Sequence, residues 1–109
     1  MPKKYKVQIT EYALNQIIEI KNYIQNELES PETAKIWLDN MKYSLGSLST
    51  FPARFPIISE KLFNLDIHRF IVGKHLVYYW INEQQHTVWI IAVIYARRDQ
   101  MRELKNLIL

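Results

Sequence analysis

The sequence predicts an α+β domain, with an N-terminal strand, a two-helix antiparallel hairpin, a three-stranded antiparallel meander completing a twisted sheet, and a short C-terminal helix. Three observations carry that prediction. The chain opens with a segment of period two, and two stripes of helical period follow, separated at Ser30-Pro31. After Pro56 the pattern returns to strands punctuated by turn residues.

From Tyr5 to Thr10 the chain alternates, with Tyr5, Val7 and Ile9 on one face and Lys4, Lys6 and Gln8 on the other, as a half-buried strand would. Thr10 then caps a helix of about five turns whose apolar stripe is Ala13, Ile17, Ile20, Ile24 and Leu28. Ser30-Pro31 restarts the helical pattern, because serine caps well and proline at the first helical position loses no hydrogen bond. The second stripe, Ala34, Trp37, Met41, Leu45 and Leu48, ends near Phe51-Pro52. Two long amphipathic helices joined by so few residues must pack as a hairpin. Leu65 to Val72 reads as a strand, Gly73-Lys74 as a tight turn and Leu76 to Ile81 as the returning strand. Asn82 to His86 makes a polar turn, and the nearly continuous apolar run Thr87 to Tyr95 suits a central strand. Asp99 caps a last helix bearing Met101, Leu104, Leu107 and Ile108. The expected sheet is mostly antiparallel with the hairpin on one face. On the other face a groove is expected, floored by strands and edged by the terminal helix.

A chain of 109 residues fits one domain, spanning residues 1–109. The absence of cysteine excludes disulfides and cysteine metal sites, and no run approaches the roughly 20 apolar residues of a membrane span. The opening MPKKYKVQITEY lacks the apolar stretch of a signal peptide, so the cytoplasm is the expected location. Net charge is +3: residues 1–53 carry six basic and six acidic groups, and residues 54–109 carry eight basic and five acidic. A positive face suited to nucleic acid or an acidic protein is one reading of that excess, and an ordinary solvated surface the other.

The turn at Gly73-Lys74 sets Arg69 opposite Tyr78 and puts His68 on a face with Phe70, Tyr79 and Tyr95. A guanidinium inside an apolar strand needs a partner. For Arg69 the alternatives are a structural pairing with Glu60 or Asp66, or contact with a phosphate or a partner's carboxylate. Arg97 and Arg98 follow the central strand, and Arg102 and Lys105 lie on the next helix, a grouping able to grip phosphates. Arg54, in Phe-Pro-Ala-Arg-Phe-Pro, either closes the same groove or is solvated. Tyr78, Tyr79 and Tyr95 either stack on bases or pack. His68 has the best acid–base pKa, yet a lone histidine in a strand is more often a hydrogen-bonded structural residue. The histidines form no recognised metal motif, no carboxylate set suits two-metal chemistry, and neither a phosphate loop nor a nucleophile elbow is present. RNA cleavage by this chain would therefore be metal-independent and cofactor-free, with the substrate's own 2′-hydroxyl as nucleophile and basic groups stabilising the phosphate.

The opening strand, the Ala13/Ile17/Ile20/Tyr23-Ile24 helix, Leu48 with Phe51-Pro-Ala-Arg54, the stretch His68 to Ile81 and the ending Val93-Ile-Tyr-Ala-Arg-Arg-Asp99 together resemble the RelE/ParE superfamily. These are toxins of bacterial type II toxin–antitoxin modules, associated with plasmid stabilisation. The resemblance runs through almost the whole chain in order, and it rests on the arrangement of its parts. It implies a helical hairpin packed on an antiparallel sheet, matching the reading above.

The resemblance implies two mechanisms. RelE-like members cleave messenger RNA, usually on the ribosome, with basic residues and often a tyrosine or histidine near the C-terminus. ParE-like members poison DNA gyrase. Here Arg69 matches the family's central-strand arginine, and Arg97-Arg98 match its basic pair. The tyrosine expected beyond that pair is missing, since Met101, Arg102, Glu103 and Leu104 stand there, and the lysine-rich patch is reduced to Lys61. For a ribonuclease the catalytic candidates are Arg69, Arg98, His68 and Tyr95. Phosphate or partner binding falls to Arg54, Arg69, Tyr79, Arg97, Arg98 and Arg102. The departures favour the ParE-like branch, with gyrase as target and the helical hairpin, the terminal segment or both as contact surface. Ribosome-bound messenger RNA is the alternative target, and a non-toxic antitoxin-binding module member is a further reading. Each implies a cognate antitoxin and a toxin–antitoxin hetero-oligomer.

Overall fold

A computed structural model describes residues 4–59, 61–97, 102 and 104. Strand β1 (Lys6–Ile9) leads into helix α1 (Glu11–Asn26) and helix α2 (Pro31–Gly46). Strands β2 (His68–Val72), β3 (His75–Asn82) and β4 (Thr87–Tyr95) follow. Thr10 caps α1 as expected, its Oγ1 accepting from the Ala13 N–H at 3.1 Å. Ser30 holds the N-cap position of α2 without a side-chain cap bond, and its hydroxyl instead donates to Thr33 Oγ1 at 2.6 Å. Helix α2 stops at Gly46 and gives way to two short 3-10 turns, Ser47–Ser49 and Pro52–Arg54, so it is shorter than its apolar stripe suggests.

The sheet order is β1-β4-β3-β2. The meander is antiparallel, with Val72 opposite His75 and Arg69 opposite Tyr78, the register set by the Gly73-Lys74 turn. Strand β1, however, pairs parallel to β4, Lys6 to Thr87 through Ile9 to Ile90, so the sheet is mixed. The helical hairpin explains this. Helix α1 continues in the direction of β1 along the edge of β4, where Gln16 Oε1 accepts the Val93 N–H at 2.7 Å. Helix α2 then returns the chain to the starting end, where the Tyr5 N–H meets the Ser49 carbonyl at 2.8 Å. Three strands launched from that end leave the last one running the same way as the first.

The main core lies between the hairpin and the sheet. Ala13, Ile17, Met41, Leu45 and Leu48 meet Phe70, Val77, Tyr79, Val88, Ile90 and Val93 there. A second cluster on the opposite face joins Leu62, Ile67 and Leu104 to Tyr78, Ala92 and Ile94, all buried. The centre of that face is therefore filled, contrary to the open, strand-floored groove expected. Leu104 shields it as the expected terminal helix would, and Arg102 and Leu104 are helical.

Candidate functional site

Strand alternation decides where the candidate residues point. His68 and Arg69 are neighbours in β2 and so face opposite sides of the sheet. His68 is buried on the hairpin side, its ring stacked on Tyr79 at 5.0 Å and its Nδ1 2.7 Å from the Phe55 carbonyl. Arg69 is exposed on the other side, its N–H donating to the Pro56 carbonyl at 3.0 Å. Asp66, offered as its structural partner, instead faces Lys61 Nζ at 3.6 Å, and Glu60 lies outside the described residues.

Tyr95 shares a face with His68, as the sequence reading placed it, but at the far end of the sheet. His68 is opposite Tyr79 and Tyr95 is opposite His75, four residues further along β3, about 13 Å. Tyr95 is half-buried beside His75, with ring centroids 5.7 Å apart. Arg97 is exposed just past this end, and Arg102 is exposed on its helix. Arg98 lies outside the described residues. The register of Arg69 is roughly 15 Å of strand from that of Arg97, so these two would meet separate groups on a partner instead of clamping one phosphate.

Two expected binding residues make bonds within the fold, and one of them is inaccessible. Tyr79 has no exposed surface, and its hydroxyl donates to the Pro52 carbonyl at 2.5 Å. Burial pushes its pKa up to about 12, with the Arg54 charge opposing. A partner cannot reach this side chain, which corrects its assignment as a binding residue. Arg54 remains at the surface, but its guanidinium donates to the carbonyls of Ser47, Thr50 and Phe51, at 3.3, 2.7 and 3.2 Å, and to Ser47 Oγ at 2.8 Å. A cation on carbonyls just past a helix C-terminus is favourably placed, and these bonds use the Nη1 group and part of Nη2. Phe51, in the left-handed region at φ 55°, turns the chain so that Pro52 reaches Tyr79.

The larger of two hollows lies away from Arg97 and Arg102, at the end of the sheet carrying the β3–β4 turn. It holds about 670 Å³ between the Ala53–Ile57 loop, the Asn64–Asp66 turn, His68 and the strand end Trp80, Ile81 and Glu83. A second hollow of about 320 Å³ lies nearby, between Lys4, Tyr5, Phe51 and His86. Tyr5 joins the two, stacking on His86 at 3.7 Å and donating to Glu83 Oε2 at 2.8 Å. That hydrogen bond raises the Tyr5 pKa above 10.0. Sequence reasoning offered Asp66 only as a partner for Arg69 and did not single out Trp80 or Glu83, because the hollow arises where β2 ends and β3 continues, and no local pattern announces such a mismatch. Among the described residues, no three histidines or carboxylates gather as a metal site would require.

A family model described as ParE toxin of type II toxin–antitoxin system, parDE, matches residues 7–100. Among solved structures, the chain is similar to the chromosomal ParDE system from P. aeruginosa at a TM-score of 0.70 and 9% identity, covering 86% of this chain and 98% of that one. It is similar to an archaeal RelE–RelB complex from Pyrococcus horikoshii at 0.61 and 18% identity, covering 87% and 98%. The isolated RelE toxin of E. coli matches at 0.53 and 19% identity, covering 96% and 99%. At these identities the likeness to solved structures establishes the fold. No curated protein sequence matches the chain.

Proposed function

Because the chain belongs to the ParE family of toxins of type II toxin–antitoxin systems, we propose that it halts growth by binding DNA gyrase in the cytoplasm, without catalysing a reaction, and that a cognate antitoxin neutralises it. The observation carrying this reading is the dispersal of the catalytic candidates. General acid–base cleavage of RNA needs its acid, its base and its phosphate clamp within a few ångströms of one scissile bond. Of the four candidates, His68, Arg69 and Tyr95 are described, and they occupy one face, the opposite face and the far end of the sheet. A protein that acts by occupying a surface needs no such convergence. The match to the ParE family model supports gyrase as the target, since the ParE-like branch is the one the sequence resemblance associates with gyrase. The hairpin offers a surface for it, with Tyr23, Ile36 and Tyr43 all more than half exposed. The likeness to a ParDE system and to a RelE–RelB complex supports an antitoxin partner and a hetero-oligomer.

Parallel incubations of antitoxin-free protein test the proposal. One holds translating ribosomes, and the other holds gyrase with supercoiled plasmid. Trapped, cut plasmid with intact messenger RNA is the expected result. Codon-linked cuts in ribosome-bound RNA with gyrase unaffected would make the protein a ribonuclease. Silence in both would point to a different target or to an inactive module member.

A further inference from the structure

The larger hollow has a shape and charge that the toxin's proposed action does not use. Strand β2 stops pairing at His68–Tyr79, whereas β3 continues to Asn82. Backbone direction alternates along an antiparallel strand, so Ile81 aims its N–H and C=O to the same side as Tyr79. Tyr79 finds His68 there, while Ile81 faces the hollow. The chain before β2 bends away, through a turn closed by the Leu65 N–H on the Leu62 carbonyl at 2.8 Å, with Phe63 and Asn64 both at positive φ. What remains is a slot floored by the end of β3, open at a sheet edge, where an extended backbone finds ready partners.

Two carboxylates line the slot. Among the described residues, the charged side chains lining it are Asp66 and Glu83, in a protein of net charge +3, with Lys61 on Asp66 and the Arg54 guanidinium over Phe55 at its rim. Trp80 supplies aromatic surface beside them, whereas the Phe55 ring is already engaged by Phe70 and Arg54. Both carboxylates retain accepting capacity. Asp66 is held by Lys61 in a surface pair with both side chains more than half exposed, a contact exchanged at little cost. Glu83 accepts one Tyr5 hydroxyl and has further lone pairs. A phosphate would be repelled here, whereas a guanidinium or ammonium between indole and carboxylates meets two favourable fields.

We propose that this slot docks an extended, basic segment of a partner protein, whose backbone pairs with Ile81 and whose lysine or arginine side chain lies between Trp80 and the carboxylates of Asp66 and Glu83. The inference is independent of gyrase as target, since it uses none of the exposed arginines and none of the hairpin.

The test uses the full chain, isotopically labelled for amide and indole resonances, with two blocked heptapeptides as probes. One alternates threonine with arginine, and the other threonine with glutamate. The arginine peptide is expected to shift the Ile81 and Glu83 amides and the Trp80 indole saturably, and the glutamate peptide is expected to leave them unmoved. Asp66→Asn and Glu83→Gln should each weaken binding about fivefold, and the double variant should lose it. Both side chains are exposed, so the remaining spectrum should report an intact fold. Absence of saturable binding to the wild type would overturn the proposal, as would undiminished affinity in the double variant. Saturable shifts confined to the hairpin around Glu32 and Asp39 would equally overturn it.

Discussion

The His75 ring sits between Trp37 of α2, 5.5 Å away edge to face, and Tyr95 of β4, and its buried Nδ1 has no hydrogen-bond partner among the described residues. Burial lowers its pKa from the ordinary 6.5, so the folded chain takes up this proton only at a lower pH than the unfolded chain does. Between those two values the unfolded state binds more protons, and stability rises with pH. The contribution is complete above about pH 6.5 and is lost as pH falls through that value toward the folded pKa. We expect urea denaturation to show a larger loss of stability between about pH 7 and about pH 5 for the wild type than for His75→Leu. Equal losses would remove His75 as the cause. Tyr79 supports a second prediction at this scale. Tyr79→Phe leaves the Pro52 carbonyl without its donor in a buried setting and should cost about 1–2 kcal/mol in the same assay. Once corrected for the folded fraction, it should leave toxicity unchanged, because no partner touches the side chain.

The two helix starts make a matched pair. Thr10 caps α1 through its side chain and Ser30 does not cap α2, so Thr10→Ala should cost about 1 kcal/mol and Ser30→Ala a few tenths, measured by thermal melting. A reversed order would contradict the geometry. Gln16 is the other test of an element. It serves the β4 edge where β1 has ended, so Gln16→Leu should destabilise by about 1–2 kcal/mol, whereas Gln16→Glu keeps the acceptor and should cost less. The helix starts, the β3 and β4 strands, the register of Arg69 on Tyr78 and the shared face of His68 and Tyr95 were legible in the sequence. Each depends on a cap, a period or a two-residue turn within a short window. The parallel pairing of β1 was not, because it follows from the direction in which the hairpin returns the chain. The connection from Ser47 to Ile67 hid the rest. Within it Arg54 turns back onto helix-end carbonyls, Phe51 takes a left-handed conformation, and Pro52 meets a tyrosine 27 positions away.

Across the whole molecule, charge is divided by layer as well as by sequence half. Segment 11–46, the helical hairpin, holds Glu11, Glu19, Glu27, Glu29, Glu32 and Asp39 against Lys21, Lys35 and Lys42, a net of −3. With +3 for the full chain, the remainder carries +6. An acidic layer with exposed apolar side chains and a basic remainder can meet two partners of different character. That division suits a protein that works by occupying surfaces, and turnover distinguishes such a protein from an enzyme. The measurement that tests this most directly is a titration of antitoxin-free protein against a fixed amount of gyrase on supercoiled plasmid, with ribosome-bound messenger RNA followed in a matched series. Trapped gyrase–DNA complexes should rise in proportion to added protein and saturate near one molecule per gyrase binding site, while the RNA stays intact. Cut messenger RNA accumulating well beyond one cleavage per protein molecule, with gyrase untouched, would contradict it.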